Sequence, residues 1–338
     1  MMTLATELQA RSNKVTFLTF KGRGLGEHVR TAGFQTNDVR VRLKIDPAAI
    51  LKIARHIRRE GIDIVHCHLS TSAINGALAA RLAGVPSVST VHGMSGKLSF
   101  LPSTHLIAVS GEVRRHLVGQ GIHESRISIV PNGIEVPDWS SDRRVQARKS
   151  LGIPLDVPVI GTTARLTELK GINHALYAVS QIREDMPNIR YVVFGDGQQR
   201  EELQTIAQSL GITENVMWMG YRNDVQNLLP ALDIFLFPSL REAMGISIVE
   251  AMAAKIPTIA TTIGGIPEVV TSDVGILVPP ADPVAMSEAV ISLLRDPAKR
   301  AELGSRAWER AQSEFSAQKM AARTLGVYAA LLEKSCRV

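Results

Sequence analysis

Two glutamates eight residues apart, Glu242 and Glu250, stand out in PSLREAMGISIVEAMAAKIPTIATTIGGIPE (238–268). Glu242 falls in the loop after an apolar run, Gly245 opens the helix that follows, and Glu250 sits about a turn and a half along it. Uncapped backbone N–H groups at such a helix start suit a phosphate or sugar oxygen. A carboxylate farther along can accept both hydroxyls of a ribose. Ile248, Val249, Ala251 and Met252 surround Glu250 with apolar groups, which argues against a merely solvated glutamate. A second stretch, ARLTELKG (164–171), sets Arg165 and Lys170 on either side of a loop running into a helix near Gly171. A guanidinium and an ammonium there could clamp a diphosphate, or could simply be a solvated basic loop. The chain has no Asp-x-Asp pair to chelate a metal. Fixed cations would then have to neutralise a diphosphate leaving group.

The elements that must position these residues alternate between strand and helix. Apolar, β-branched runs recur at 15–20, 63–68, 87–92, 104–109, 159–164, 190–195, 233–238 and 257–262. Runs this continuous predict parallel strands buried on both faces. Between them lie helical patterns such as 47–60, with Asp46 placed to cap it, Pro47 in its first turn and Gly61 after its end. The pattern predicts a doubly wound α/β architecture. It falters in the polar stretch 136–156, restarts at Val157, and ends in helix alone from 297 to 334. We therefore expect two doubly wound, Rossmann-like domains, 1–137 and 138–315, facing each other across a cleft. A last helix, 316–338, would cross back to the first domain. In such sheets ligands bind beyond the carboxyl ends of the strands. His92-Gly93, Arg165 with Lys170, Gly195-Asp196-Gly197, Glu242 and Gly264-Gly265 all follow predicted strands.

Composition narrows the classes. The 338 residues are 45% hydrophobic and 21% charged, which excludes disorder and collagen-like repeats. No apolar run approaches the ~18 residues of a spanning helix, and the first residues lack a signal-peptide core, so a cytoplasmic protein is the expectation. Two cysteines, Cys67 and Cys336, make neither a disulfide framework nor a zinc cluster. Residues 1–137 hold 17 Lys and Arg against 9 Asp and Glu, a net of +8, whereas 138–338 hold 21 against 23. A basic half suits anionic lipid, a phosphorylated acceptor or nucleic acid. Nucleic acid fits least, because aromatics are only 4% and do not interleave with the basic runs.

The Glu-x7-Glu segment, ARLTELKG, VFGDG (193–197), VPNGIE (130–135) and the STVHG and AVS strand ends occur together in this order. With them the sequence resembles the retaining glycosyltransferases of family 4, of GT-B fold, over nearly its whole length. The resemblance implies that Glu250 binds the donor ribose and Glu242 the donor sugar, while Arg165 and Lys170 hold the diphosphate. The backbone at Met244, Gly245 and Ile246 would contact sugar and phosphate, Gly195 would line the donor site, and Tyr221-Arg222 would lie at the base. His92 would approach the donor sugar from the N-terminal domain. Its competing reading is a satisfied histidine at a strand end. His66 and His68, flanking Cys67, have a spacing open to metal binding, to packing or to an acceptor-side role. GRGLGEHV (22–29) partly imitates a dinucleotide loop, but the resemblance puts an ordinary strand–helix turn there.

Two departures follow. The family begins with a strand and a Gly-Gly loop, whereas MTLATELQARSNKVTFL reads as its first helix and second strand, so the first strand is expected to be missing. The family's Gly-Phe pair after the first glutamate is Ala243-Met244 here, a minor change unless the backbone needs a positive φ.

The chemistry implied is transfer of a hexose-type sugar from a nucleotide diphosphate sugar, a UDP-sugar by the family's commonest usage. Transfer would proceed with retention and without metal or other cofactor. With both glutamates occupied in binding, front-face attack is expected rather than double displacement. A phosphorylated glycolipid or polysaccharide precursor at the inner membrane face would meet the basic domain, with Arg55, Arg58, Arg59, Arg114 and Arg115 as candidates. Two other readings stay open: a sugar-nucleotide-binding subunit without activity, and a sugar-nucleotide epimerase on the same fold.

Overall fold

The computed structural model describes all residues except Arg23, Asp138, Trp139, Ser141 and 336–338. Cys336 therefore lies outside the described residues, as do three positions of the polar stretch 136–156 and one of 22–29. The chain divides into two compact units. Unit 1 is Met1–Glu135 with Ala317–Val338, and unit 2 is Val136–Ser316.

Unit 1 opens with α1 (Met2–Ala10), β1 (Thr16–Phe20), α2 (Leu25–Thr31) and β2 (Gln35–Val39). It continues through α3 (Pro47–Glu60), β3 (Val65–His68), α4 (Ser70–Ala83), β4 (Ser87–Val91), β5 (His105–Ala108), α5 (Gly111–Gly119) and β6 (Ile127–Ile129). All its strand pairs are parallel, but they form two sheets, β1-β2 and β3-β4-β5-β6. Of the stretch 22–29, residues 25–29 lie in α2. α3 forms where the sequence predicts it. The Asp46 carboxylate accepts the Ala49 N–H at 3.1 Å, Pro47 occupies the first turn, and Gly61 closes the helix in the left-handed region. Its apolar stripe of Ile53, Ala54 and Ile57 packs with Val39, Ala79, Leu18 and Val65, so α3 and α4 cover strands of both sheets.

Unit 2 contains α6 (Asp142–Leu151), β7 (Val159–Thr163), α7 (Ile172–Asp185), β8 (Arg190–Phe194), α8 (Arg200–Ser209) and β9 (Val216–Gly220). Then come α9 (Val225–Leu228), β10 (Ile234–Phe237), α10 (Ile246–Ala253), β11 (Thr258–Thr261), α11 (Ile266–Val269), β12 (Gly275–Val278), α12 (Pro283–Arg295) and α13 (Pro297–Phe315). Its six strands make one parallel sheet in the order β12-β11-β10-β7-β8-β9. The chain starts in the middle at β7, winds out to β9, then returns beside β7 at β10. That places the topological switch, and the crevice it opens, between β7 and β10.

Arg148, fully buried, ties α6 to this sheet. Its guanidinium donates to the carbonyls of Ala231, Pro154, Leu155 and Val157 and, at 2.9 Å, to Asp233. Asp233 in turn accepts the Val159 N–H at 2.8 Å and Arg144 at 2.7 Å. Every group of the buried pair has a partner, which is the condition for keeping charge inside a core.

The last helix, α14 (Ala317–Ser335), belongs to unit 1. Its Met320, Ala321 and Leu331 pack with Leu4 and Leu8 of α1 and with Val88 and Ile107 of the sheet. Among the described residues no helix is long and apolar enough to cross a membrane.

Each of the eight predicted runs contains a strand, in every case one or two residues shorter than predicted. The four strands not predicted, β2, β6, β9 and β12, all end their sheets. Such strands are less enclosed. QTNDV of β2 is mostly polar and partly exposed, and VMWMG of β9 is half-buried beyond its first residue. They therefore lack the continuous apolar signature.

Candidate active site

The switch point of unit 2 gathers most of the residues that the sequence singles out. The loop after β7 carries Arg165 and Lys170, and the loop after β10 carries Glu242. The two loops are bonded through their backbones, with the Leu240 N–H donating to the Leu169 carbonyl at 2.8 Å. The Lys170 ammonium then donates to Glu242 Oε2 at 2.6 Å and lies 5.4 Å from the Phe237 ring centroid. The other carboxylate oxygen, Oε1, accepts the Ala243 N–H at 3.0 Å. Both oxygens of Glu242 are committed, so the site holds it as a fixed anion beside a fixed cation. Arg165 is exposed and has no ion-pair partner among the described residues.

Two helices start at this point. α7 follows Gly171 and α10 follows Gly245; both glycines are left-handed, and neither helix has a side-chain cap. Their first N–H groups are therefore open to an anion. Met244 is buried and Ile246 is partly exposed at the first position of α10. Ala243 is not among the residues with positive φ, so alanine serves there without strain.

Glycine is required where the loops touch. Gly195 follows β8 with φ +131°, and a Cβ on it would lie 1.9 Å from the Ala164 carbonyl oxygen. Gly264, with φ +56°, would put a Cβ 2.0 Å from the Glu242 carbonyl oxygen. These contacts lock the loops after β7, β8, β10 and β11 into one floor.

Glu250 lies in the second turn of α10, half-buried. Burial raises its pKa above the usual carboxylate range, and a long hydrogen bond of 3.5 Å from Gln226 lowers it less. Such a carboxylate gains from a ligand that brings two hydroxyl donors. The Gln226 contact was not legible in the sequence, since the four-residue helix α9 carries no motif. Tyr221 is 83% exposed beyond β9, and Arg222 is turned to Asp224 at 2.6 Å. Gly195 N–H donates to the Gly220 carbonyl at 2.8 Å, which holds the Tyr221 loop next to the end of β8.

Unit 1 has a different polar group at its strand ends. His92, just after β4, is solvent-exposed. Its Nε2 lies 3.0 Å from His68 Nδ1, with near-parallel rings 5.3 Å apart. His68 stacks on His66 at 4.5 Å. His66 is bonded on both nitrogens, to Tyr328 Oη of α14 at 2.5 Å and to Thr90 Oγ1 at 2.6 Å. Burial pushes His66 down to about 3 and His68 well below its ordinary range. His92 is lowered too, first by local burial and then by the N-terminal charge, against a hydrogen bond with the Asn132 side chain that raises it. Cys67 points the other way, toward α4, and burial lifts its thiol to about 12. Among the described residues no group of three or more His, Cys, Asp or Glu is arranged to hold a metal ion, so the metal reading of His66 and His68 is not supported.

The predicted acceptor-side arginines lie on α3 and α5 and differ in their partners. Arg55 is exposed. Arg58 donates to the Leu82 carbonyl, and Arg59 pairs with Glu60 at 3.0 Å and meets His56 at 3.3 Å. Arg114 pairs with Glu124 and Arg115 with Glu112.

Residues 144–310 match the family described as glycosyl transferases group 1, and residues 1–137 match glycosyltransferase family 4. A D-inositol 3-phosphate glycosyltransferase of Xylanimonas cellulosilytica is 31% identical, over 88% of this chain and 79% of that protein. A UDP-Gal:alpha-D-GlcNAc-diphosphoundecaprenol alpha-1,3-galactosyltransferase of Escherichia coli is 29% identical, over 65% of this chain and 63% of that protein. Among solved structures, HepE of Anabaena in complex with UDP and glucose superposes with a TM-score of 0.86 at 20% identity, covering 98% of this chain and 95% of that one. That likeness establishes the fold.

Proposed function

Because this chain belongs to the glycosyl transferases group 1 and family 4, with a GT-B fold, we propose that it moves a hexose-type sugar from a UDP-sugar to a glycolipid or polysaccharide precursor, with retention at the anomeric carbon. The observation that carries this reading is the Lys170–Glu242 pair beside two uncapped helix starts at the β7/β10 switch. A diphosphate fits there. Lys170, Arg165 and the helix N–H groups would supply positive charge, Glu242 would orient the sugar, and Glu250 would take the ribose hydroxyls.

The chemistry follows from what is occupied. With both Glu242 oxygens bonded, that carboxylate is poorly placed to attack carbon as a nucleophile. The acceptor oxygen instead forms its bond to the anomeric carbon on the face from which the diphosphate departs. The carbon–oxygen bond to the phosphate breaks, and the acceptor proton passes to the departing phosphate oxygen. Fixed cations stabilise the charge that grows on that oxygen, so no metal is needed in this scheme. His92 would contact the transferred sugar.

The activities for which the relatives are named support a phosphorylated or lipid-linked acceptor. A stretch of unit 1 suits an anionic membrane surface. Arg42, Lys44, Lys52 and Arg55 are exposed and interspersed with exposed Leu43, Ile45 and Leu51. We place peripheral contact there, on the inner face of the membrane.

A second reading, a donor-binding subunit without turnover, is favoured by one observation: the strands of unit 1 form two separate sheets. The test is incubation of the full chain with UDP-glucose, UDP-galactose or UDP-N-acetylglucosamine and, as acceptor, inositol 3-phosphate or a diphosphate-linked N-acetylglucosamine lipid, following UDP release and the anomeric proton coupling of the first glycoside formed. An α product supports retention, and a β product overturns it. Tight UDP binding without release favours the second reading.

A further inference from the structure

We infer that His68 is the positioning residue of His92, holding its imidazole in one orientation and one tautomer. The inference rests on the reading above that His92 contacts the transferred sugar. Three observations carry it. The first is the Nδ1–Nε2 contact of 3.0 Å between near-parallel rings, which joins a solvent-exposed histidine to a half-buried one. The second is that His68 is itself fixed from behind. It stacks on His66, whose two nitrogens are both bonded, to Tyr328 and to Thr90.

The third is backbone strain at the same point. Leu69, directly after His68, has φ +71° and ψ 157°, a region that residues with side chains rarely adopt. The chain is held there because the Ser72 hydroxyl donates to the carbonyls of both His68 and Leu69, and the Ala73 N–H donates to Leu69. Strain of this kind persists where surrounding bonds over-determine it. Here it turns the end of β3 sharply into α4 and fixes where the His68 ring lies.

The consequence is specific. A neutral imidazole has one donor and one acceptor nitrogen, and the bond on one nitrogen decides what the other offers. His92 is also bonded to the Asn132 side chain. Held between His68 and Asn132, it presents a ring of defined orientation without adding charge.

The test uses the full chain labelled with 15N in histidine. Long-range 1H–15N spectra report the tautomer of His92 in the wild type and in His68→Ala, His68→Asn and His68→Gln. An asparagine amide reaches the position of Nδ1, whereas a glutamine amide reaches that of Nε2. We expect one neutral tautomer in the wild type and in His68→Asn, and a mixture in His68→Ala and His68→Gln. UDP release from UDP-glucose should fall in kcat by about 10–100-fold in His68→Ala. It should recover largely in His68→Asn, with UDP affinity unchanged because that site belongs to unit 2. His68→Ala combined with His92→Ala should be no worse than His92→Ala alone. A His92 tautomer indifferent to His68→Ala, or a His68→Asn no better than His68→Gln, overturns the inference. A rate untouched by His92→Ala overturns instead the reading of His92 on which it depends.

Discussion

The strand ends of unit 2 hold full charges. Lys170 meets Glu242 at 2.6 Å, Arg165 stands exposed beside them, and even the core beneath keeps the Arg148–Asp233 pair. The strand ends of unit 1 hold polar groups with the charge removed. Three stacked imidazoles, all with lowered pKa values, lie in a row from Tyr328 to the solvent-exposed His92. The net charge of the units runs the other way, since the basic residues of unit 1 lie on its surface. Under the proposed function the two groups would serve different needs: a departing diphosphate needs fixed cations, while a sugar ring and an attacking hydroxyl need oriented neutral partners that do not compete for it.

The comparison breaks most readily at Arg148. Replacing it with leucine leaves Asp233 with only Arg144 as counter-charge and should cost unit 2 about 3–5 kcal/mol in chemical denaturation. A loss under 1 kcal/mol would mean that unit 2 does not depend on its internal charge. Lys170→Ala comes next. It removes the cation proposed to act on the leaving group and should lower kcat by about 10²–10³-fold, with the protein still folded by circular dichroism.

Glu250→Gln sharpens the comparison, because two effects should oppose. UDP affinity should drop by about 1.5–3 kcal/mol as charge-assisted bonds to the ribose are lost. The unliganded protein should melt higher. The folded-state pKa of Glu250 is raised, so its stability contribution is present below the unfolded value of 4.5 and lost as pH rises, which makes the carboxylate a cost at neutral pH. Calorimetric titration and a melting curve on the same sample read both.

For unit 1 the sign is opposite. His66 and His68 have folded pKa values below the unfolded 6.5, so their contribution is complete above pH 6.5 and is lost on acidification, for His66 down to about pH 3. The slope should reach ~1.4 kcal/mol per pH unit for each histidine that binds a proton only on unfolding. Urea denaturation between pH 4 and 8 should show it, and His66→Gln should remove one share. Smallest is the surface effect. Lys44→Ala should weaken sedimentation with vesicles rich in anionic lipid by ~1 kcal/mol, about fivefold, and added salt should erase the difference.

Much of the candidate site was legible because its residues are tied to strand ends. Glu242, Glu250, Arg165, Lys170, Gly195 and Gly245 follow runs that the apolar pattern located, and the strand order brings their loops together. The division of the unit 1 sheet leaves no trace in the apolar pattern. β1 and β3 have the apolar character of interior strands, yet among the described residues each pairs with a single neighbour. A strand's sequence records what covers its faces, and helices cover both sheets alike. Pairing at its edges leaves no such trace. The histidine row was half legible: the spacing of His66 and His68 was visible, but their stacking on His92 depends on the pairing of β3 with β4 in register, His68 opposite Thr90. The surface arginines were least legible, since their partners, such as Leu82 for Arg58 and Glu124 for Arg114, are set by tertiary packing.

The assignment of the donor site to unit 2 is tested most directly by calorimetric titration of UDP into the full chain, alongside Lys170→Ala and Glu250→Gln. We predict saturable one-to-one binding by the wild type, strongly weakened in both variants while each remains folded. Binding that survives both substitutions, or a folded wild type that binds no nucleoside diphosphate, would contradict it.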